Sequence, residues 1–340
     1  MSSTSDLTID ASKFAPSNVA EDTKKLHVLL AKVTEAGPHW YEVGAARYRD
    51  MREIGETPFP IPVYLPEAKE ASVPSRDKGR EIPIRVYTPD NGEPSRGILL
   101  HFHGGGFVIG THKHSDSNLK TWANECQLTA ISVGYRLAPE DPHPAAVEDC
   151  FDTVEYLVDQ GKAVYNGELR FLVGESAGAT LAVQSAFHLL RSRPQHQLSG
   201  IVAPYGYFDL TNNLPQSSTF DKPLFLNHEA LNRFKDVYVP GKDISERRNP
   251  LISPLYENLQ ALTQGGKNLP PAIFLCGTED PLLDDTILMG TKWLMTGSEA
   301  VVKLYPGGPH GFLAFAGIKN ADEGAAAIIS FLQEKLESKS

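Results

Sequence analysis

The segment from Arg170 to Leu190 leaves few folds open. Arg170-Phe-Leu-Val173 is a short apolar run of strand character. Gly174-Glu-Ser-Ala-Gly178 follows with no linker, and Leu181, Ala182, Ala186, Leu189 and Leu190 then recur at helical spacing. A strand that turns straight into a helix is one step of a parallel sheet, because parallel neighbours need a crossover. The same alternation runs from Ile82-Pro-Ile-Arg-Val-Tyr87 to the C-terminus. It predicts an α/β chain with helices on both faces of the sheet.

The turn carries a second constraint. Ser176 stands where strand becomes helix, on backbone that is sharply bent and crowded. Gly174 and Gly178 lack a Cβ and relieve that crowding. The Ala177 N–H falls at a helix N-terminus, where it stabilises negative charge. G-x-S-x-G in this setting is a nucleophile elbow; alone, it is also what a glycine-flanked capping serine looks like. The strand Ile98-Leu-Leu-His-Phe102 tips the balance, because it runs into His103-Gly104-Gly105-Gly106-Phe107. Three glycines after a strand are either a plain flexible turn or bare N–H groups free to converge on one oxygen. Acyl transfer needs the second, and each such donor is typically worth ~10²–10³ in rate. Together the two motifs predict a serine hydrolase.

A serine nucleophile needs a base and a group to orient it, here in the chain order Ser, Asp or Glu, His. After Ser176 the histidines are His188, His196, His228 and His310. His188 falls inside the following helix, His196 just beyond it and His228 in an irregular stretch. His310 stands in the loop Pro306-Gly-Gly-Pro-His-Gly-Phe312 after the strand Val301–Tyr305, a placement that suits the base. The strand Pro271–Cys276 leads to Gly277-Thr-Glu-Asp-Pro281. Asp280 is the first choice for the acid, since the residue before a proline is held extended; it could also merely cap the next helix. Glu279 is the reserve. Asp284 and Asp285 are expected in a first helical turn for dipole reasons.

These blocks, with Tyr135-Arg-Leu-Ala-Pro-Glu140 and Pro144-Ala-Ala-Val-Glu-Asp149, carry a resemblance. Over about residues 83 to 315 the chain resembles the hormone-sensitive-lipase-like carboxylesterases, a branch of the α/β-hydrolases. The resemblance implies an α/β-hydrolase fold: a central, mostly parallel eight-stranded sheet flanked by helices under a helical cap. It implies Ser176, Asp280 and His310 as nucleophile, acid and base, and the N–H groups of Gly105, Gly106 and Ala177 as the oxyanion hole. It makes Arg136, Glu140 and Asp149 a buried polar network. Residues 1–82 carry no motif of the branch.

The expected organisation is an N-terminal helical part of the cap and a linker over 1–66, catalytic core over 67–204 and 256–340, and a cap insertion over 205–255. Residues 1–20 read as loose, Glu21–Ala36 as a helix with a Leu26, Leu29, Leu30, Val33 stripe, and Trp40–Ile54 as a second helix. The run Pro58–Pro66 reads as the linker. Phe208, Phe220, Phe225, Leu226, Leu231 and Phe234 of the insertion are candidates for the pocket wall, or for packing between cap and core. A long insertion is where lids arise.

The net charge is −10 and no basic cluster appears, which argues against nucleic acid and against anionic membrane. No stretch approaches ~18 apolar residues, so no stable membrane insertion is expected. Cys126, Cys150 and Cys276 lie beside apolar runs and read as buried free thiols, and the N-terminus shows no signal segment; both fit a cytoplasmic protein. His101/His103 and His112/His114 share strand-like spacing, but no standard ligand set completes them, so neither metal nor cofactor is expected. The expected activity is hydrolysis of short to medium acyl esters of a small-molecule substrate; a homodimer stays open. The alternatives are an acyltransferase or lyase-type enzyme with the same triad, and a non-catalytic receptor, against which His310 argues.

Overall fold

The strands are β1 (Lys69–Pro74), β2 (Glu81–Tyr87), β3 (Ile98–Phe102), β4 (Thr129–Val133), β5 (Leu169–Gly174), β6 (Gly200–Pro204), β7 (Ala272–Glu279) and β8 (Ala300–Pro309). In the computed structural model, which describes residues 5, 7–57 and 61–337, they form one sheet of order β1-β2-β4-β3-β5-β6-β7-β8. β2 is antiparallel to both its neighbours, β1 and β4, and every other pairing is parallel. Residues 58–60 of the expected linker, and 1–4 and 6 of the N-terminal stretch, lie outside the described residues.

The helices of eight residues or more are α1 (Glu21–Ala36), α2 (Ala45–Glu53), α3 (Asp116–Cys126), α4 (Ala145–Tyr165), α5 (Ala177–Ser192), α6 (His228–Tyr238), α7 (Leu283–Leu294) and α8 (Lys319–Glu337). Strand periodicity sorts the core into two layers. Leu100, Leu172, Ile201 and Phe274 pack with α4 and α5, whereas Leu99, Phe171, Val202 and Ile273 pack with α3 and α8. Both faces of the sheet are therefore covered, which is why its central strands read as continuous apolar runs.

Four expectations change. β1 precedes Ile82 and was illegible because Lys69-Glu-Ala-Ser-Val-Pro74 is an edge strand whose only buried residue is Val73. The Trp40–Ile54 helix is broken at Gly44, whose φ of 89° no helix admits; a short turn Trp40–Val43 precedes α2. On α1, Leu26 and Leu30 are buried but Leu29 is exposed. Ala11–Phe14 and Pro16–Asn18 form short 3₁₀ turns against β8, so this stretch is docked. Among the described residues no helix is long and apolar enough to cross a membrane.

Candidate active site

Four sheet strands deliver their next residues to one spot at their carboxyl ends, where open α/β sheets bind ligands. Gly104 comes just after β3, Ser176 after β5, Asp280 after β7 and His310 after β8. Ser176 has φ 56° and ψ −118°, a conformation L residues rarely take. Its neighbours show why glycines flank it. A Cβ on Gly174 would fall 2.3 Å from the Gly178 carbonyl oxygen, and one on Gly178 would fall 1.9 Å from that of Phe102.

The Ser176 Oγ lies 2.9 Å from His310 Nε2. His310 Nδ1 lies 3.0 and 3.1 Å from the two carboxylate oxygens of Asp280. Asp280 is fully buried and also accepts the Leu282 N–H at 2.8 Å, which fixes the plane of its carboxylate. β8 runs on through Pro306–Pro309, so the expected loop before His310 is strand. The reason is a close backbone contact: a Cβ on Gly277 would fall 1.8 Å from the Gly308 oxygen, so only glycine lets β7 and β8 approach here.

Gly105 and Gly106 have φ of 113° and 61°. A Cβ on Gly105 would meet the Ile109 oxygen at 2.0 Å, and one on Gly106 would meet the Phe234 ring at 2.2 Å. Among the described residues no backbone carbonyl takes the N–H of Gly105, Gly106 or Ala177. The neighbouring His103 stiffens the loop. Burial pushes its pKa down to about 3, so the ring is neutral; Nδ1–H donates to the Gly104 oxygen at 2.7 Å, and the ring stacks on Tyr135.

Comparison with known proteins fits this geometry. The family described as alpha/beta hydrolase fold matches residues 99–314, more than half of the chain. The chain belongs to the α/β-hydrolase fold family. It is 29% identical over 273 residues to the ethyl acetate hydrolase of Pseudomonas putida, covering 78% of this chain and 82% of that one. The structure of an esterase from Pyrobaculum calidifontis superposes with a TM-score of 0.76 at 26% identity, over 94% of this chain and 98% of that one. A hormone-sensitive lipase from a metagenome library gives 0.74 at 25% identity, over 93% and 98%. The chain sits among the hormone-sensitive-lipase-like carboxylesterases of the family.

In this α/β-hydrolase, Ser176 and His310 open on an apolar cavity of about 250 Å³. Its walls come from residues 33–48, from the 205–255 segment and from Ile109, Ala314 and Phe315. Trp40 and Phe234 stack at 4.8 Å across them, and Phe225, Leu226 and Leu231 complete that side. Phe208 and Phe220 are not in the wall: Phe208 packs against Phe274 in the core, and Phe220 clusters with Leu26, Leu30 and Leu224. A larger space of about 770 Å³ adjoins it past Gly104, Gly105 and Tyr205, with Arg49, Arg52, Lys113 and His114 in its lining.

The other histidines go elsewhere. His188 stacks on Phe151 and meets Glu155, His196 meets the Leu169 oxygen, and His228 meets the Ser217 oxygen. Glu279 pairs with Lys222. Asp149 is buried and holds both Arg80 and Arg136, as the network reading expects, but Glu140 is about half exposed and pairs separately with Arg49. Asp285 is not a solvated dipole partner: it is fully buried and accepts the N–H of Phe208 and Asp209 at 2.7 Å each.

Three contributors escaped the sequence reading. Tyr205, at φ 38° just after β6, packs its ring on that of His310 in a T-shaped contact, with centroids 5.0 Å apart. Its only sequence signal is its place at a strand end. Glu175 shows in the sequence only as the variable position of the elbow, and His101 only as half of a His pair with no ligand set. They lie 2.8 Å apart beneath the elbow.

Proposed function

We propose that this chain hydrolyses carboxylic esters of short to medium acyl length through Ser176, His310 and Asp280. The observation that carries the reading is the unbroken path from Ser176 Oγ through His310 to the buried carboxylate of Asp280. His310 Nε2 takes the hydroxyl proton as Ser176 attacks the carbonyl carbon, and Asp280 holds the ring and stabilises the imidazolium. The N–H groups of Gly105, Gly106 and Ala177 receive the oxyanion. His310 then gives its proton to the leaving alcohol. A water, deprotonated by the same nitrogen, cleaves the acyl-enzyme and restores Ser176.

Residues of 1–66 and 205–255 form the cap in this reading, over a catalytic core of 67–204 and 256–340. The cavity of about 250 Å³ is apolar, walled on one side by Trp40, Leu226, Leu231 and Phe234. A small apolar wall of this kind suits a short or medium acyl chain. The ethyl acetate hydrolase likeness points the same way. The test is hydrolysis of nitrophenyl esters from acetate to palmitate, with Ser176→Ala as control. Turnover should peak at a short or medium chain and vanish in the variant. Full activity in Ser176→Ala would end the triad reading, and a peak at palmitate would end the chain-length reading.

A further inference from the structure

Glu175 and His101 take no part in the proton path, yet they belong to a hydrogen-bond relay of their own. His101 is fully buried on β3, with Nδ1 2.9 Å from Ser132 Oγ on the adjacent β4. Its Nε2 is 2.8 Å from Glu175 Oε2. The other carboxylate oxygen, Oε1, accepts the Gly104 N–H at 3.0 Å. Glu175 is also the covalent neighbour of Ser176. One carboxylate therefore ties together the two segments whose N–H groups must meet at a single point, the Gly104–Gly106 loop and the elbow. We infer that Glu175 is a positioning residue for the oxyanion hole, held in turn by His101 and Ser132. The inference rests on reading Ser176 as the nucleophile.

The three successive glycines bring no side chains, so neighbours hold the loop: His103 donates to the Gly104 oxygen, Val108 and Ile109 donate to the Gly105 oxygen, and Glu175 takes the Gly104 N–H. A carboxylate suits the task because, ionised, it is acceptor-only and can take N–H donors on both oxygens at once. Burial works to raise its pKa, but the facing His101, the hydrogen bond from it and the Gly104 N–H together hold Glu175 below the usual range. A lone carboxylate beside a developing oxyanion would oppose it; these donors draw its charge away from the hole. Glu175 also keeps 28% of its side chain exposed toward the cavities, so the rival role is direct contact with substrate.

Kinetics on a nitrophenyl ester separate the two roles. They are paired with the affinity for a trifluoromethyl ketone, whose hemiketal oxygen on Ser176 sits where the oxyanion does. Glu175→Ala should lower kcat by ~10–10², less than or up to the loss of a whole donor, with KM changed less than ~3-fold. Ketone affinity should fall in step with kcat/KM. Glu175→Gln, which keeps an acceptor for Gly104 while His101 can switch tautomer, should restore most of the loss. Ser132→Ala should lower kcat about threefold or more at constant KM. A raised KM at unchanged kcat in Glu175→Ala, or equal losses in the Ala and Gln variants, overturns the inference. If Glu175→Ala does not fold, an unchanged kcat in Ser132→Ala overturns it. Wild-type turnover and its loss in Ser176→Ala are established first, so a failure of the triad reading is seen separately.

Discussion

At the scale of single residues, strain and backbone proximity set the site. A non-glycine residue in the Ser176 conformation costs about 1–3 kcal/mol. Glycine would shed that cost and lose about 0.5–1 kcal/mol through its freer unfolded chain. Ser176→Gly should therefore be inactive yet melt above Ser176→Ala; thermal melts of the two decide it, and the reverse order would mean the elbow is unstrained. Gly106→Ala should cut kcat by ~10² or more, because its Cβ strikes the Phe234 ring and the donor is displaced. Gly79→Ala is the matched control: its φ of 82° is equally strained, but it faces open space, so kcat should hold. Ser176, His310 and Asp280 were legible because each stands at the end of an apolar run in a fixed order. Glu175 was not, because its partners are distant in sequence. His101 meets Ser132 only through the β3–β4 register, where the two are paired residues, and no local pattern announces a register.

At the scale of elements, strands buried on both faces are legible in the sequence and the edge strand β1 is not. β3 and β5 announced themselves; β1 did not, since an edge strand shows solvent most of its residues. Helical spacing found α1 and α5, but Gly44 breaks a helix that spacing alone would have continued. On α6, Phe234 lies on Gly106 and stacks with Trp40. Phe234→Ala should enlarge the apolar cavity, so the ester series should peak at a longer acyl chain. An unmoved optimum would place the acyl group elsewhere. On α7, Asp285 has its pKa raised well above the usual carboxylate value, first by burial and then by Asp209. Its Oδ2 has no hydrogen-bond partner among the described residues. A raised folded pKa means that ionisation favours the unfolded chain. The stability this group supports is whole below about pH 4, its unfolded value, and is lost as pH climbs to the folded value. Asp285→Asn keeps the acceptor and removes the titration. Its melting temperature should gain on wild type steadily from about pH 4 upward. A pH-independent difference would count against a neutral Asp285.

Over the whole molecule, two apolar layers enclose the sheet, and the three cysteines are buried and free. Burial raises all three thiol pKa values, Cys126 to about 12. None should react with a thiol reagent in the native protein over minutes, and all three should react once it is denatured. A fast native reaction would reveal an opening of one layer. The molecule also divides its labour. The pocket wall is assembled from stretches far apart in sequence, Trp40 and Phe234, whereas Asp280 and His310 end two neighbouring strands whose glycines meet backbone to backbone. The spacing of Asp280 and His310 is thus a dimension of the sheet, like the pitch of a screw. Part of the wall is tied to that dimension, because Tyr205 and Phe225 face the His310 ring and Phe234 lies on Gly106. A designer who wants to reshape the pocket therefore works on Val33, Leu226 and Leu231 and leaves Tyr205, Phe225 and Phe234 in place.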